Sequence, residues 1–407
     1  MSTGDLSRFH VLDLSTHLPG PVASQLLMSL GGEVVKLERP GAGDGNRATS
    51  VPDHVAPHVW GESVYHLALN AGARSVSVDR ASPHWSAVLG AAVRWADVVI
   101  VGGRRSDAER RGLDFETLRA INPRLVYLNI TGYGDNGPWA DIPAHGQNPD
   151  ALAGLVQLET TPDDGVQTIP GWRPAGTTLA GLHGALGVMT ALLRRERTGE
   201  AQMVGASMWR SAMWWMWRDM VAQANLGIGF REFSDFGSRY AIYRTADDRN
   251  LLIAPIERKF WESFCDVADL PGLRSSGDWS GEALYFGDTE RPSAERAAIA
   301  AAIRARTLRE WEDALGPRAV PFAPVLSFED ALASEHAAQS GVTRTVKYRG
   351  KDLKVPAVPL AIAGGPGVPS RPPPEVGEHT VEVLRELRLD AAASAAVTTP
   401  EGCVYVP

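Results

Sequence analysis

Cysteine is almost missing: Cys265 and Cys403 are the only two in 407 residues, far apart and without Cys or His at metal-ligand spacing. That excludes a disulfide framework and a zinc site, and leaves a packed Cys265 and an idle Cys403, because free cysteines mostly behave as small hydrophobes. An excess of positive charge is missing too. The formal net charge is −8 with acidic and basic residues mixed along the chain, so nucleic-acid binding has no compositional basis. No stretch approaches the ~18–20 uninterrupted apolar residues of a membrane span, and the first residues carry no apolar signal-peptide core. A soluble, cytoplasmic protein with no membrane partner is expected. No Gly-x-Gly-x-x-Gly follows the first strand, so a nicotinamide cofactor is not indicated. The most specific absence is local: no carboxylate occurs between Asp164 and Glu196.

What is present reads first as an α/β chain. Val11 to Leu14 is a short strand, Ala23 to Leu30 a helix and Glu33 to Leu37 a second strand, the order of a parallel α/β unit. The pattern repeats with a strand at Ser75–Val78, a helix at Trp85–Trp95 and a mostly apolar, buried strand at Ala96–Val101. A helix over 114–122 capped by Asp114 and a strand over 125–130 follow. Residues 1–135 thus read as a doubly wound, Rossmann-like half. The cluster Gly41-Ala-Gly-Asp-Gly45 follows a strand, but Pro40 and the lack of a following amphipathic helix argue against a phosphate-binding P-loop, leaving ordinary turn chemistry or a ligand-contacting loop.

Leu179–Arg197 is the longest helix candidate, with cations at its C-terminus and a break at Thr198-Gly199. A second apolar helix is expected over 206–226. Its Trp209, Trp214, Trp215 and Trp217 suit core or interface packing, or an aromatic acyl pocket. A hairpin spans 241–256 around the turn-rich 245–250, and helices at 259–269, 293–305 and 308–315 complete a small α+β domain. Residues 364–374 form a Pro/Gly-rich extended segment. The expected boundaries are a large α/β domain over 1–205, a linker helix over 206–235, a small domain over 236–328, and 329–407 as a further segment.

Several separated segments resemble one family. They are Val11 to Leu27, Leu30 to Asp44 (Leu-Gly-Gly-Glu-Val-Val-Lys-Leu-Glu-Arg-Pro-Gly-Ala-Gly-Asp), Ala68 to Val78, Ala120 to Gly134 with Gly137-Pro138, and Gly181 to Gly187. Tyr243 to Asp247, Ile256 to Trp261, Ala323 to Leu326 and Gly377 to Thr380 continue in order. Together they resemble the family III CoA-transferases, a family that includes the α-methylacyl-CoA racemases. The resemblance implies an interlocked dimer in which the C-terminal part returns to the large domain, CoA and acyl-CoA as substrates, and no covalently bound cofactor or metal.

It also implies a chemistry. One aspartate attacks the donor acyl-CoA thioester to give a mixed anhydride, CoA thiolate returns to form an aspartyl-CoA thioester, and the acceptor acid takes over the CoA. In the family that aspartate lies six residues before the His of a Gly-Leu-His motif. Here Gly181-Leu182-His183 is intact and the position is Thr177; a slipped alignment finds no Asp or Glu from 165 to 195. A threonine hydroxyl is weakly nucleophilic without an adjacent base. His145 aligns with the racemase histidine of a Gly-His-Asp motif, whose Asp is Gly146 here, and Glu257 matches a family glutamate facing the cleft; both are candidate catalytic groups. Asp150 reads as a helix-start residue. The CoA phosphates need cations, and the resemblance points to Arg39, Arg74, Arg104 and Arg110. Departures are Gly102-Gly103 for the family's Asn-Phe, Ala73 for a basic residue, and Leu18 in the opening loop.

The leading expectation is a family III CoA-transferase subunit without the nucleophile, paired with an aspartate-bearing paralogous subunit, as in transferases resembling succinyl-CoA:benzylsuccinate CoA-transferase. The alternatives are an acyl-CoA epimerase or racemase-like enzyme using His145, and a non-enzymatic acyl-CoA-binding scaffold.

Overall fold

Short apolar strands alternating with helices close into one parallel sheet. Its strands are β1 (His10–Asp13), β2 (Glu33–Glu38), β3 (Arg74–Ser77), β4 (Val98–Gly102), β5 (Val126–Thr131) and β6 (Gln202–Ser207). The order is β6-β5-β4-β1-β2-β3 and every pairing is parallel, with Val11 opposite both Val34 and Val98. This is the order of a doubly wound Rossmann-type sheet, in which the chain reverses direction across the sheet between β1 and β4. The computed structural model describes residues 9–47, 57–160, 167–168, 173–229, 236–280, 284–290, 292–360 and 371–389. Cys403 and the 364–370 part of the Pro/Gly-rich segment lie outside them.

Both faces of the sheet are covered, which is why its strands are apolar at consecutive positions. Leu12, Val35, Val76, Val99, Val101 and Tyr127 face one core. There they meet α3 (Trp85–Trp95), α5 (Phe115–Ile121) and the helix Thr380–Glu386. Val11, Val34, Val98, Ile100, Leu128 and Ile130 face the other, under α1 (Pro19–Ser29) and α7 (Ala175–Thr198). Asp114 caps α5, its Oδ1 accepting the Thr117 N–H at 3.0 Å. α7 is long and apolar enough to cross a membrane by length and composition, but half of that apolar window is buried inside the fold. Its Gly181 allows a close approach: a Cβ there would lie 2.6 Å from Val22 Cβ and 2.7 Å from the Pro19 carbonyl oxygen. The start of α7 is thereby held beside the start of α1.

The chain divides into two compact units, residues 1–217 with 341–407, and residues 218–340. In the first, the segment after 341 forms the hairpin Thr343–Tyr348 and Lys351–Pro356, then returns to β3. Gly377 N–H donates to Ser75 Oγ at 2.8 Å and Ser77 N–H to Thr380 Oγ1 at 3.0 Å. The second unit has an antiparallel sheet of Ala241–Arg244, Asn250–Ile253 and Phe322–Pro324, covered by α10 (Arg258–Ala268), α11 (Ala294–Arg304) and α12 (Leu308–Leu315). Trp261, Phe264 and Trp311 form its core beside Cys265, whose thiol burial pushes up to about 12. That cysteine is an inert packing residue.

One expected element is different. The single helix over 206–226 is two helices, α8 (Met208–Trp215) and α9 (Trp217–Leu226), preceded by β6, which runs to Ser207. The hydroxyl of Ser207 caps α8 by accepting the Arg210 N–H at 3.3 Å. Trp214, Trp215 and Trp217 are more than half exposed, so within this chain they are not core. From composition these tryptophans suit core or interface packing or an acyl pocket, and the geometry removes the core of this chain from those choices.

Candidate functional site

A cavity of about 350 Å³ opens at the carboxyl ends of β1, β4 and β5. Ligand crevices of doubly wound sheets form there, at the switch point between β1 and the strand beside it. The loop after β1 contributes Thr16, His17, Leu18 and Pro19; the turn after β4 contributes Gly102, Gly103, Arg104 and Asp107. Ala144, His145 and Gly146 come from the segment before α6 (Gln147–Leu152), and Thr177 and Met208 from the starts of α7 and α8.

Thr177, in the first turn of α7, is 2% exposed and its hydroxyl points at Met208 Sδ, 3.4 Å away. It has no neighbouring base among its hydrogen-bond partners in the described residues. The buried Asp150, in the first turn of α6, uses Oδ1 to accept the Gly176 N–H at 2.8 Å. Read from sequence as a helix-start residue, it thus caps the start of a different helix, α7. Asp107, the carboxylate that lines the cavity, is bridged by Arg104 Nε at 2.6 Å and Nη2 at 3.0 Å, and is also bonded by Arg110. That pairing holds its carboxyl below the usual range.

Beneath the cavity lies a buried ion cluster. Lys36 Nζ contacts Asp44 Oδ2 at 2.8 Å and Asp13 Oδ2 at 3.1 Å. Burial alone would depress the lysine, but Asp13, Asp44 and Glu38 outweigh it and raise it. Burial pushes the Asp44 carboxyl up and Lys36 overrides this, so the acid is held below its ordinary value. The cluster reaches the cavity wall through Asp44, whose Oδ1 accepts the His17 N–H at 2.9 Å.

Of the sequence candidates, His145 and Thr177 meet in this cavity, and Arg104 is on its rim. Arg110 is exposed beyond it. Arg39 is exposed, with Nε donating to the Gly43 carbonyl at 3.1 Å. Arg74 is elsewhere: 1% exposed on β3, it is ion-paired with Glu33, with Glu382 at 3.0 Å and with Glu386 at 2.8 Å. Its guanidinium binds the C-terminal return, and a phosphate there would have to displace carboxylates. Glu257 belongs to the second unit, as the half-buried residue before α10, its carbonyl accepting the Trp261 N–H at 2.9 Å. His183 of the Gly-Leu-His motif is on α7 and faces α8, its Nδ1 2.9 Å from Ser211 Oγ and its ring edge-on to Trp214. Among the described residues, no group of three or more His, Cys, Asp or Glu side chains could hold a metal ion. The residue that sequence reasoning missed is His17, whose ring stands 6.4 Å from that of His145 at 89°.

Residues 6–380 match the family model described as CoA-transferase family III. The chain is 28% identical to succinate–glutarate CoA-transferase of Agrobacterium fabrum, over 94% of this chain and 95% of that protein. It is 27% identical to the beta subunit of succinyl-CoA–L-malate CoA-transferase of Chloroflexus aurantiacus, over 95% of each. The crystal structure of Rv3272 from M. tuberculosis, orthorhombic form, superposes with a TM-score of 0.77 at 26% identity, covering 93% of this chain and 99% of that one.

Proposed function

This chain belongs to CoA-transferase family III, and from that premise we propose that it is the nucleophile-lacking subunit of a heteromeric CoA-transferase. The observation that carries the proposal is Thr177, a 2% exposed hydroxyl in the first turn of α7 where the transfer chemistry calls for a carboxylate. An anhydride and an aspartyl-CoA thioester are acyl derivatives of a carboxylate, and an alcohol can form neither. An ester on Thr177 would be a stable product in place of an exchanging intermediate. The two nearby carboxylates are committed otherwise, Asp150 to capping α7 and Asp107 to its arginines. Relatives with distinct alpha and beta subunits, such as the succinyl-CoA–L-malate CoA-transferase, support a heteromeric assembly.

In this proposal the partner is a paralogue bearing aspartate at the position matching Thr177. Arg39, Arg104 and Arg110 are the proposed contacts to CoA phosphates, while Arg74 serves the C-terminal return. His145, in the cavity lining, binds or orients substrate. The test is CoA transfer from succinyl-CoA to a panel of carboxylic acids. The purified chain alone is expected to give no turnover, and co-expression with an aspartate-bearing paralogue is expected to give activity. Robust turnover by the chain alone would sink the proposal.

A further inference from the structure

We propose that His17 is a ligand-contacting residue that, together with His145, selects acyl groups ending in a second carboxylate; the inference rests on the reading of this cavity as an acyl-CoA site.

His17 has φ of 66°, the left-handed region that non-glycine residues seldom occupy. Both of its peptide groups are tied down. Asp44 Oδ1 accepts its N–H at 2.9 Å, and the Asn46 side-chain amide donates to its carbonyl oxygen. Asp44 is in turn anchored by the buried Lys36 at 2.8 Å. Its ring lies over Gly45, where a Cβ would sit 2.5 Å from His17 Cε1. The loop Asp44-Gly45-Asn46, anchored by Lys36, therefore fixes one exposed imidazole on the cavity wall. A strained backbone held this way marks a side chain whose position matters.

The ring faces His145, and among the described residues neither imidazole has a hydrogen bond to protein through its ring nitrogens. Two imidazoles across such a gap offer an N–H to each oxygen of one carboxylate, hydrogen bonds assisted by the carboxylate's own charge. The charges around the cavity allow an anion to enter. Thr177 removes the carboxylate from its floor, and Asp107 is already bonded by Arg104 and Arg110. Below His17 the buried Asp44 and Asp13 share Lys36, and neither carboxylate lines the cavity. Leu18, Ile130, Ile142 and Met208 supply apolar wall for the methylenes between thioester and carboxylate. A cavity of about 350 Å³ accommodates a short diacid arm.

The test is calorimetric titration of the full-length chain with succinyl-CoA and with butyryl-CoA, which share chain length and differ at the terminal carboxylate. The wild-type protein is expected to bind succinyl-CoA at least about tenfold more tightly. In His17→Gln and His145→Gln that ratio is expected to fall to near one. Gly45→Ala, which displaces the ring without touching its chemistry, should lower the ratio as well. A merely structural His17 would shift both affinities together and leave their ratio unchanged. Equal affinities in the wild type, or a preserved ratio in His17→Gln, would overturn the role of His17 and leave the subunit proposal standing. Binding of neither thioester would overturn the acyl-CoA reading of the cavity along with it.

Discussion

Thr177 and aspartate are close in size, so the difference at this position is one of chemistry more than of packing. Thr177→Asp places a carboxylate on the cavity floor. We expect the variant to gain CoA-transfer turnover that the wild-type chain alone lacks, read by the same succinyl-CoA assay. It should also lose stability, by about 1–3 kcal/mol, because the new carboxylate enters a 2% exposed site whose hydroxyl has only Met208 Sδ for company and whose neighbour Gly176 is already bonded to Asp150. A stable variant without turnover would mean that more than the nucleophile is missing. Thr177 is legible in the sequence because the motif around it, Gly181-Leu182-His183, is intact and counts it into place. His17 is not. What distinguishes it is the sign of one backbone angle and a hydrogen bond donated by its N–H to a carboxylate 27 residues later, neither of which has a compositional signature. Arg74 misleads for a related reason: a lone arginine on a strand invites a phosphate, and its partners Glu382 and Glu386 lie more than 300 residues away in sequence.

At the scale of elements, the C-terminal return behaves as a clasp across the first unit. His66, on the helix Val64–Leu69, has Nε2 3.1 Å from the Pro374 carbonyl, and Arg47 Nη2 donates to the same oxygen at 2.9 Å. A carbonyl only accepts, so Nε2 carries the proton, and the buried Nδ1 has no partner among the described residues. Burial, with Arg47 nearby, holds the His66 pKa down to about 4. A folded-state value below the ordinary ~6.5 means the unfolded chain binds the proton first. The contribution is therefore full above about pH 6.5 and is lost as pH falls toward about 4. His183 and His379 shift in the same direction and Glu62 in the opposite one, so the comparison is between proteins. Urea midpoints of the wild type should fall between pH 6.5 and 4.5 more steeply than those of His66→Gln, which keeps a donor for Pro374 and has nothing to titrate. Parallel pH profiles would contradict this account of the clasp. The α/β elements of this unit are readable because strand and helix periodicity survive in the sequence. The break at Met216 and the outward face of Trp214, Trp215 and Trp217 are not, because an exposed apolar stripe and a buried one have the same spelling.

For the whole molecule, family membership settles the fold and the class of chemistry, and the proposal turns on whether this chain performs the covalent step. The parallel sheet carries a cavity at its switch point and an ion cluster beneath it, and among the described residues Asp107 is the one carboxylate in the cavity lining. The account therefore separates binding from bond formation and assigns only the first to this chain. Intact-protein mass spectrometry reads that separation directly: the complex with its aspartate-bearing partner is incubated with succinyl-CoA, quenched, and each subunit is weighed. The account predicts an acyl or CoA adduct on the partner and an unchanged mass for this chain, alone or in the complex; an adduct on this chain would contradict it.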